Sequence, residues 1–536
     1  MSDDLAGLGR ILAFDLRRSW LRMLIWALVL AVLVLATVAY QAQTFPTQAD
    51  RDAYAGIANT PAVAALTGLP YAAATAGGIL NIKLWMTGAV ALALISIFLV
   101  TRNGRAEEET GRAELLRSGR LGRHAMSLAS WLIAAGFALV GGLVSGLAGI
   151  AAGLPPEGSL LMGLSWTGCA WAFIGIAAVT GQLCSTGRGA TAWAAVVLAA
   201  AYLVRAIADV NGTGEQPSWL TWLSPIGWAQ QTRSFGEERW WALLPLLALG
   251  LAAAGVALAL ERTRDLGAGR IPARSGPAHA AAITRSVLGL PVRLQRVPLI
   301  AWAAGIAVAA VFFGTVGKLM NDLVAQLGSS PIGAALTAGA GSAVDGVLGY
   351  LVLVVAVLVS GFAVQSALVL RSDEAAGRAA WEWTAAVSRI GWTGARLAIP
   401  AIAALLLLAL GGALLGATYG ATIGDPGQTG RFVLAAIAYW PAVLLLIAVV
   451  GVLVAVLPRA SIAIAWSVYG VLVLLAVLGD VLGLPSGVVD ATPYWATPRL
   501  GAVDPSWGGV WAMAIAAIVL AFLALWRMRA RDEVEA

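Results

Sequence analysis

The chain has 536 residues, of which 60% are hydrophobic and 12% charged, with a formal net charge of +6 at pH 7. Apolar runs of about twenty residues recur along its length, the number a helix needs to cross a hydrocarbon layer. This composition excludes a soluble globular domain and predicts an all-α integral membrane protein. The positive balance follows from charge placement across a bilayer and from contact with anionic lipid headgroups, so it gives no reason to invoke nucleic acid.

Twelve transmembrane helices are predicted, near 23–40, 80–100, 127–153, 160–184, 190–208, 241–260, 299–317, 347–370, 393–417, 431–457, 461–480 and 508–527. The first is preceded by LGRILAFDLRRSWLR, where Leu8, Ile11, Leu12 and Leu16 share one helical face with arginines between them. That pattern predicts an amphipathic elbow helix on the inner leaflet. No small-residue cleavage site closes the apolar run, so span 1 reads as a retained helix rather than a signal peptide. From Gln41 to Lys83, with Pro46, Pro61, Pro70 and Gly77–Gly78, the connection is too long for a hairpin.

Between spans 2 and 3 the sequence turns charged: RAEEETGRAELLRSGRLGR, Arg105 to Arg123. Span 3 carries GGLVSG, a spacing of small residues that lets helices approach closely. Before span 6 the stretch TWLSPIGWAQQTRSFGEERW is aromatic and half apolar. It predicts helices that dip into the outer leaflet as a gate, or an interfacial belt of Trp219, Trp222, Trp228, Trp240 and Trp241. The stretch Thr263 to Pro298 is rich in Arg, Gly, Pro and Ala, lacks a long apolar run, and ends in SVLGLPVRLQRV, a second amphipathic elbow.

The charged segment then returns. RSDEAAGRAAWEWTAAVSR, Arg371 to Arg389, aligns without a gap at an offset of 266. Arg105, Glu107, Glu108, Gly111, Arg112 and Arg123 map onto Arg371, Asp373, Glu374, Gly377, Arg378 and Arg389. GGALLG at Gly411 to Gly416 repeats GGLVSG, and Arg459 and Asp480 repeat Arg188 and Asp209. Each copy therefore holds six spans. An even number makes the copies enter the membrane in the same direction, as two parallel six-helix repeats about an axis along the membrane normal. The expected organisation is a first six-span half at 1–265, a cytoplasmic linker with the second elbow at 266–298, and a second six-span half at 299–536.

Arginine placement fixes the expected orientation, because short cytoplasmic loops are enriched in Lys and Arg. With the N-terminus inside, 26 of the 34 basic residues are cytoplasmic, and so are both termini and both charged segments. Acids contribute little to topology, so Glu107, Glu108, Glu109 and Glu114 need another explanation. Glu108 and Arg112, like Glu374 and Arg378, are four apart with the acid first, the order that supports a helix. Each segment reads as a short charged helix able to dock on another protein.

Several chemistries have no support. Cys169 and Cys184 lie on one predicted helix about 22 Å apart, too far for a disulfide. His124 and His279 have no partner at metal-ligand spacing, so neither a metal site nor a cofactor is implied for this chain. The only lysines, Lys83 and Lys318, are not followed by Ser or Thr, which excludes a P-loop. No catalytic or substrate-binding residue can be named; Gln182 and Gln365 are the polar exceptions within spans. Few ionisable residues at span centres suit a lipophilic cargo better than an ion or proton path.

At the charged segments the chain resembles the ATP-binding-cassette (ABC) exporter permeases of the type-2 class. Their loop after the second span carries an acid, then Gly-Thr or Gly-Arg, Glu-Leu-Leu and a later Arg, matched here by Glu108, Gly111, Arg112, Glu114, Leu115, Leu116 and Arg123. The layout is similar to the double-length actinobacterial permeases linked to export of polyether antibiotics such as tetronasin. The resemblance implies that the two segments are coupling helices seated in ATPase subunits. The coupling set is then Arg105, Glu107, Glu108, Gly111, Arg112, Glu114 and Arg123, with Arg371, Asp373, Glu374, Gly377, Arg378 and Arg389.

It also implies a bacterial plasma-membrane permease of an ABC exporter for a lipophilic compound, without ATPase motifs of its own. Two copies of a separate ABC ATP-binding subunit would carry ATP and Mg. The second copy departs from the pattern where Glu114 and Leu115 become Ala380 and Trp381. A 6+6 secondary transporter, or a membrane transferase using Asp50 and Asp52, are the alternative readings. Because the first copy keeps more of the pattern, charge reversal at Glu108 and Arg112 is expected to uncouple ATP turnover from export more than the same change at Glu374 and Arg378. Equal, negligible effects in a transport assay would reduce both loops to topogenic charge.

Overall fold

In hydrocarbon a chain must satisfy its backbone polar groups internally, and long apolar runs do so as helices. The computed structural model describes residues 3–59, 61–111, 114, 119, 121–214, 216–265, 267–271, 279, 286–327, 343–384, 387–478, 487, 492–501 and 505–530. These residues are all-helical, with no strand among them. They form two compact units, Met1–Gly276 and Pro277–Ala536, each with its own apolar core.

The first unit contains α1 (Leu8–Thr44), α2 (Gln48–Ala58), α3 (Pro61–Thr67), α4 (Ala76–Asn103), α5 (Arg105–Glu109), α6 (Ala125–Ala151), α7 (Pro156–Leu183), α8 (Gly187–Val210), α9 (Pro225–Gln230) and α10 (Leu243–Arg262). The second contains α11 (Gly289–Leu327), α12 (Ala343–Ala367), α13 (Val369–Ala375), α14 (Arg378–Thr384), α15 (Arg389–Ile423), α16 (Gln428–Ile437), α17 (Trp440–Val456), α18 (Ser461–Leu478) and α19 (Gly508–Ala530). Hydroxyl caps start several of them: Thr75, Thr186 and Ser388 accept from the backbone N–H groups of Gly78, Gly189 and Gly391 at 3.0, 3.1 and 3.0 Å.

Eleven of the described helices are long and apolar enough to cross a membrane. The twelfth expected span corresponds to α18, whose described apolar stretch, Ser461–Ala476, is shorter than the rest; residues 479–486, with Asp480, lie outside the described residues. The separate elbow helices are a correction. Leu8 to Thr44 is one continuous helix of 37 residues, since it holds no proline and its one glycine, Gly9, sits at its start. The second elbow likewise runs unbroken into span 7 through Pro298, and the carbonyl that proline strips of its partner belongs to the exposed Leu294.

In the first unit α6 packs on α1, α4 and α7, and α7 also packs on α4 and α10. In the second, α15 packs on α11, α12 and α16, and α17 packs on α12 and α19. The small-residue pattern explains the closest of these contacts. A Cβ on Gly142 of α6 would lie 2.1 Å from Thr167 Oγ1 and 2.3 Å from the Gly163 carbonyl of α7. In α15, Cβ atoms on Gly412 and Gly416 would lie 2.6 and 2.8 Å from the Phe432 and Gln428 carbonyls. Thr167 also donates across the first contact to the Ala138 carbonyl at 3.0 Å.

The tryptophans before span 6 sit mainly on the outside. Trp219, Trp222, Trp240 and Trp241 are exposed, Trp222 and Trp241 stack at 5.9 Å, and Trp240 donates to Glu157 at 3.0 Å. An apolar body with a hydrogen-bonded edge is how interfacial belt residues are placed. Asp50 serves its own helix: its carboxylate accepts the Thr47 N–H at 3.0 Å while Thr47 Oγ1 accepts the Asp50 N–H at 3.2 Å. These hydrogen bonds from Thr47 hold the Asp50 carboxyl below its ordinary range, and Asp52 is bonded to Gln48.

Because the Gly142 contact is backbone against backbone, neither helix can yield locally. Gly142→Val is expected to cost about 1–3 kcal/mol by forcing α6 and α7 apart. Gly136→Ala, where no atom lies within 4 Å, should leave thermal unfolding of the purified protein unchanged.

Candidate coupling site

The first charged segment is built by chain breaks on both sides of a single helical turn. Helix α4 stops at Asn103, α5 holds Arg105 to Glu109, and Gly111 then takes φ +74, the left-handed conformation that ends helices. That glycine changes the expected geometry. Its counterpart Gly377, at φ +69, separates α13 from α14, so Glu374 and Arg378 lie on different helices. Arg378 donates to Asp373 Oδ1 instead, at 2.9 and 2.7 Å. The anticipated acid-to-arginine pair four residues apart is therefore replaced in the second copy, and in the first Arg112 lies outside the described residues, as do Leu115 and Leu116.

What both copies share is a tighter pair, three apart. Arg105 Nη1 donates to Glu108 Oε2 at 2.6 Å, and Arg371 Nη1 lies 3.6 Å from Glu374 Oε2. All four side chains are buried. Arg105 Nη2 also donates to the Ser185 and Gly267 carbonyls at 3.0 and 2.7 Å, so it ties the loop to the end of α7 and to the chain beyond α10.

Glu108 is the hub of the first site. Arg264, just past α10, grips it with Nη1 to Oε2 at 2.8 Å and Nη2 to Oε1 at 2.9 Å, while its Nε donates to Gln182 Oε1 at 2.9 Å. A bidentate guanidinium–carboxylate contact is among the stronger and most directional of polar interactions. The neighbouring acids fasten the rest of the turn. Glu107 pairs with Arg18 of α1 at 2.9 Å, and Glu109 accepts the Gly187 N–H at the start of α8 at 2.9 Å. After the loop, Gly122 and His124 donate backbone bonds to the Ala6 and Asp4 carbonyls. His124 Nδ1 meets Glu261 Oε2 at 2.8 Å, and Ser127 donates to the same carboxylate at 2.9 Å. Arg123 Nη2 reaches the Arg264 carbonyl at 3.5 Å, while Glu114 is exposed.

The second site uses a different arginine. Arg396, fully buried in α15, donates Nε to Asp373 Oδ2 at 2.9 Å and Nη2 to Glu382 Oε1 at 2.6 Å, with its guanidinium 4.1 Å from the Trp392 ring. Arg389 stands 4.7 Å over Trp383, which packs edge-on against Trp392. Trp381, the residue that replaces Leu115 in the repeat, is 81% exposed.

Thus the structure joins Arg105 with Glu108, Arg371 with Glu374, and Asp373 with Arg378, and leaves Glu114 at the surface. Sequence reasoning assigned no coupling role to Arg264, Glu382 or Arg396. A signal for Arg396 existed: a lone charge four residues before Pro400 in an apolar run marks an intramembrane or edge ion pair. Arg264 carried no such signal, being one of seven arginines in a loop. Gln365 makes a helix-to-helix bond, accepting from Trp302 at 3.0 Å, while Gln182 accepts from Arg264 in the chain beyond α10.

Long apolar helices, close small-residue contacts and buried ion pairs define a multi-pass membrane protein. No metal-binding group occurs among the described residues. The chain is 32% identical over 541 residues to the multidrug efflux system permease protein Rv1217c of Mycobacterium tuberculosis, covering 97% of this chain and 94% of that protein. The family described as the C-terminal domain of the multidrug efflux system permease Rv1217c matches residues 285–529. The chain belongs to this family of efflux permeases.

Removing the hub acid strands two buried cations. Glu108→Gln is expected to destabilise the first unit by about 3–5 kcal/mol. Glu107→Gln, whose partner Arg18 is 39% exposed, should cost less than about 1 kcal/mol. Denaturant titration of the purified protein measures both, and equal losses would contradict this ranking.

Proposed function

We propose that the chain is the membrane subunit of an ATP-driven exporter, moving a lipophilic drug-like compound out of the cell with energy from a separate ABC ATP-binding subunit. Two such subunits, carrying ATP and Mg, engage one permease chain, one at each charged segment. The six-span halves are parallel repeats, and both termini face the cytoplasm. The same helix pairings within each unit support the repeat: span 1 on spans 2 and 3, span 2 on spans 3 and 4, span 3 on span 4, and span 4 on span 6 recur as spans 7 to 12.

The observation that carries this reading is that each charged segment is rigidly keyed into its own bundle by buried arginine–carboxylate pairs. A loop that serves only topology needs no such anchoring, whereas a loop that transmits force does. Movement of an ATPase against α5 would reach α8 through Glu109 and the Gly187 N–H, and α10 through Glu108 and Arg264. In the second copy the corresponding contact runs from α13 and α14 into α15 through Asp373, Glu382 and Arg396. The two halves then rock and pass cargo across the membrane.

The fully anchored acids hold the loop while the exposed groups face the partner. Trp381→Ala is therefore expected to weaken capture of the ATP-binding subunit and lower cargo-stimulated ATP turnover several-fold, with folded yield unchanged. Co-purification and ATPase assays in proteoliposomes read both. Transport by the chain alone, driven by a proton gradient and with no bound nucleotide-binding protein, would overturn the exporter reading.

A further inference from the structure

Strained backbone in this protein is gathered in one place. Among the described residues the non-glycine positions with left-handed φ are Ala72 at 50°, Arg233 at 49°, Phe235 at 64° and Glu238 at 49°. All four belong to two loops at the end of the first unit opposite the charged segment. Such strain concentrates where a site must be held in shape. Here the holding element is Phe235, wedged between the first turns of α4 and α7: a Cβ on Gly77 or Gly158 would lie 2.3 or 2.4 Å from its ring. Arg233's carbonyl closes the loop by accepting the Gly236 and Glu238 N–H groups at 2.9 and 3.3 Å.

The two loops, with the chain ends after α2 and α8, border an open cavity of about 600 Å³ lined by Asn59, Tyr71, Thr213, Gly214, Arg233 and Glu237. Ligand sites commonly span about 300–1,000 Å³. Arg233 is 3% exposed, yet it lines this space. Its guanidinium sits 4.8 Å from the Tyr71 ring centroid, its Nε donates to Gln231 Oε1 at 3.4 Å, and its Nη1 to Glu237 Oε1 at 2.5 Å. Glu237 is the loose member of the pair, 55% exposed and shared with Arg239. Among the other described acids nearby, Asp209 is committed to Arg205 at 3.1 Å, and Glu238 faces Glu157. Tyr71 accepts from Gln231 Nε2 at 3.0 Å and keeps its own proton to donate. Burial raises the Tyr71 phenol, so that proton stays on at neutral pH.

We propose that this cavity binds a small organic carboxylate, which displaces Glu237 from Arg233 and takes a second hydrogen bond from Tyr71. A nearly buried guanidinium that lines a cavity, and whose carboxylate partner among the described residues is half exposed to solvent, is arranged to exchange one carboxylate for another. The apolar faces of Tyr71, Pro70 and Ala72 accept the body of the ligand. The site is separate from the charged segment, since its residues lie at the far ends of α4 and α8 from α5.

The probe is radiolabelled naphthoate, added to the purified full chain in detergent micelles, with its methyl ester and naphthylmethylamine as neutral and cationic counterparts. Naphthoate is expected to bind saturably and to be displaced by unlabelled naphthoate. Arg233→Gln should weaken it by at least about tenfold. Glu237→Gln should tighten it, because the competing carboxylate is gone; this variant leaves Arg233 and the loop anchor Phe235 in place. Equal binding of the ester, unchanged affinity in Arg233→Gln, or weaker naphthoate binding in Glu237→Gln would each overturn the proposal. Saturable binding of the amine that is lost in Glu237→Gln would overturn it in favour of a cation site.

Discussion

The carboxylate of Glu108, held between two buried guanidiniums, is the constraint on which the first unit's charged end is organised. A buried arginine is tolerable only when its charge is met and its donors are used. Arg105 and Arg264 have their charges met through one acid, and except for Arg105 Nε their remaining donors go mainly to the Ser185, Gly267 and Ala268 carbonyls and to Gln182. The ends of α4, α7 and α10 are thereby pulled to one point. Neighbouring bonds from Glu107, Glu109 and Glu261 extend the same logic to α1, α8 and α6, so each of these acids has a helix to fasten.

The two copies solve the same problem with different arginines. Both keep the pair three apart, Arg105 with Glu108 and Arg371 with Glu374. The additional cation comes from beyond the last helix of the unit in one case, Arg264, and from the helix following the loop in the other, Arg396. In the second copy it bridges two acids, Asp373 and Glu382, and is backed by Trp392. The second knot is therefore made within the loop and its own following helix, while the first reaches across the bundle. Both segments have the helix-ending glycine and the short ion pair, while the wider wiring differs between them.

Much of this was legible in the sequence. Apolar run length located the membrane helices, because a bilayer leaves the backbone no alternative, and the repeated letters located the charged segments. The internal geometry of those segments was misread for a physical reason that was on view. Gly111 and Gly377 stand inside the supposed helix, and a glycine there is a stop signal; spacing four apart supports a pair only if the helix continues. The elbow helices failed differently: amphipathic composition indicates which face meets the lipid headgroups, but a bend needs a breaker, and Leu8 to Thr44 contains none after Gly9. Arg264 could not be singled out, since its role depends on Glu108, 156 residues away in the chain.

Helix α8 shows how the two ends of the first unit are joined. Its first N–H is capped by Glu109, and Gly187 packs on Ala106, where a Cβ would already sit 3.1 Å from the alanine side chain. At the other end Arg205, fully buried, donates to the Ala64, Ala65 and Leu66 carbonyls at 3.2, 2.9 and 3.2 Å and pairs with Asp209. The Ala65 and Leu66 carbonyls lie in the last turn of α3, where helical partners run out, and Ala64 also takes the Gly68 N–H, so Arg205 acts as the cap of that short helix. The chain leaving α8 then forms the Thr213–Gly214 wall of the strained cavity. A helix resists compression along its axis, and this one is fixed by charge at both ends. Displacement of the charged turn therefore has a stiff route to α3 and the cavity wall, with no flexible segment in between to absorb it.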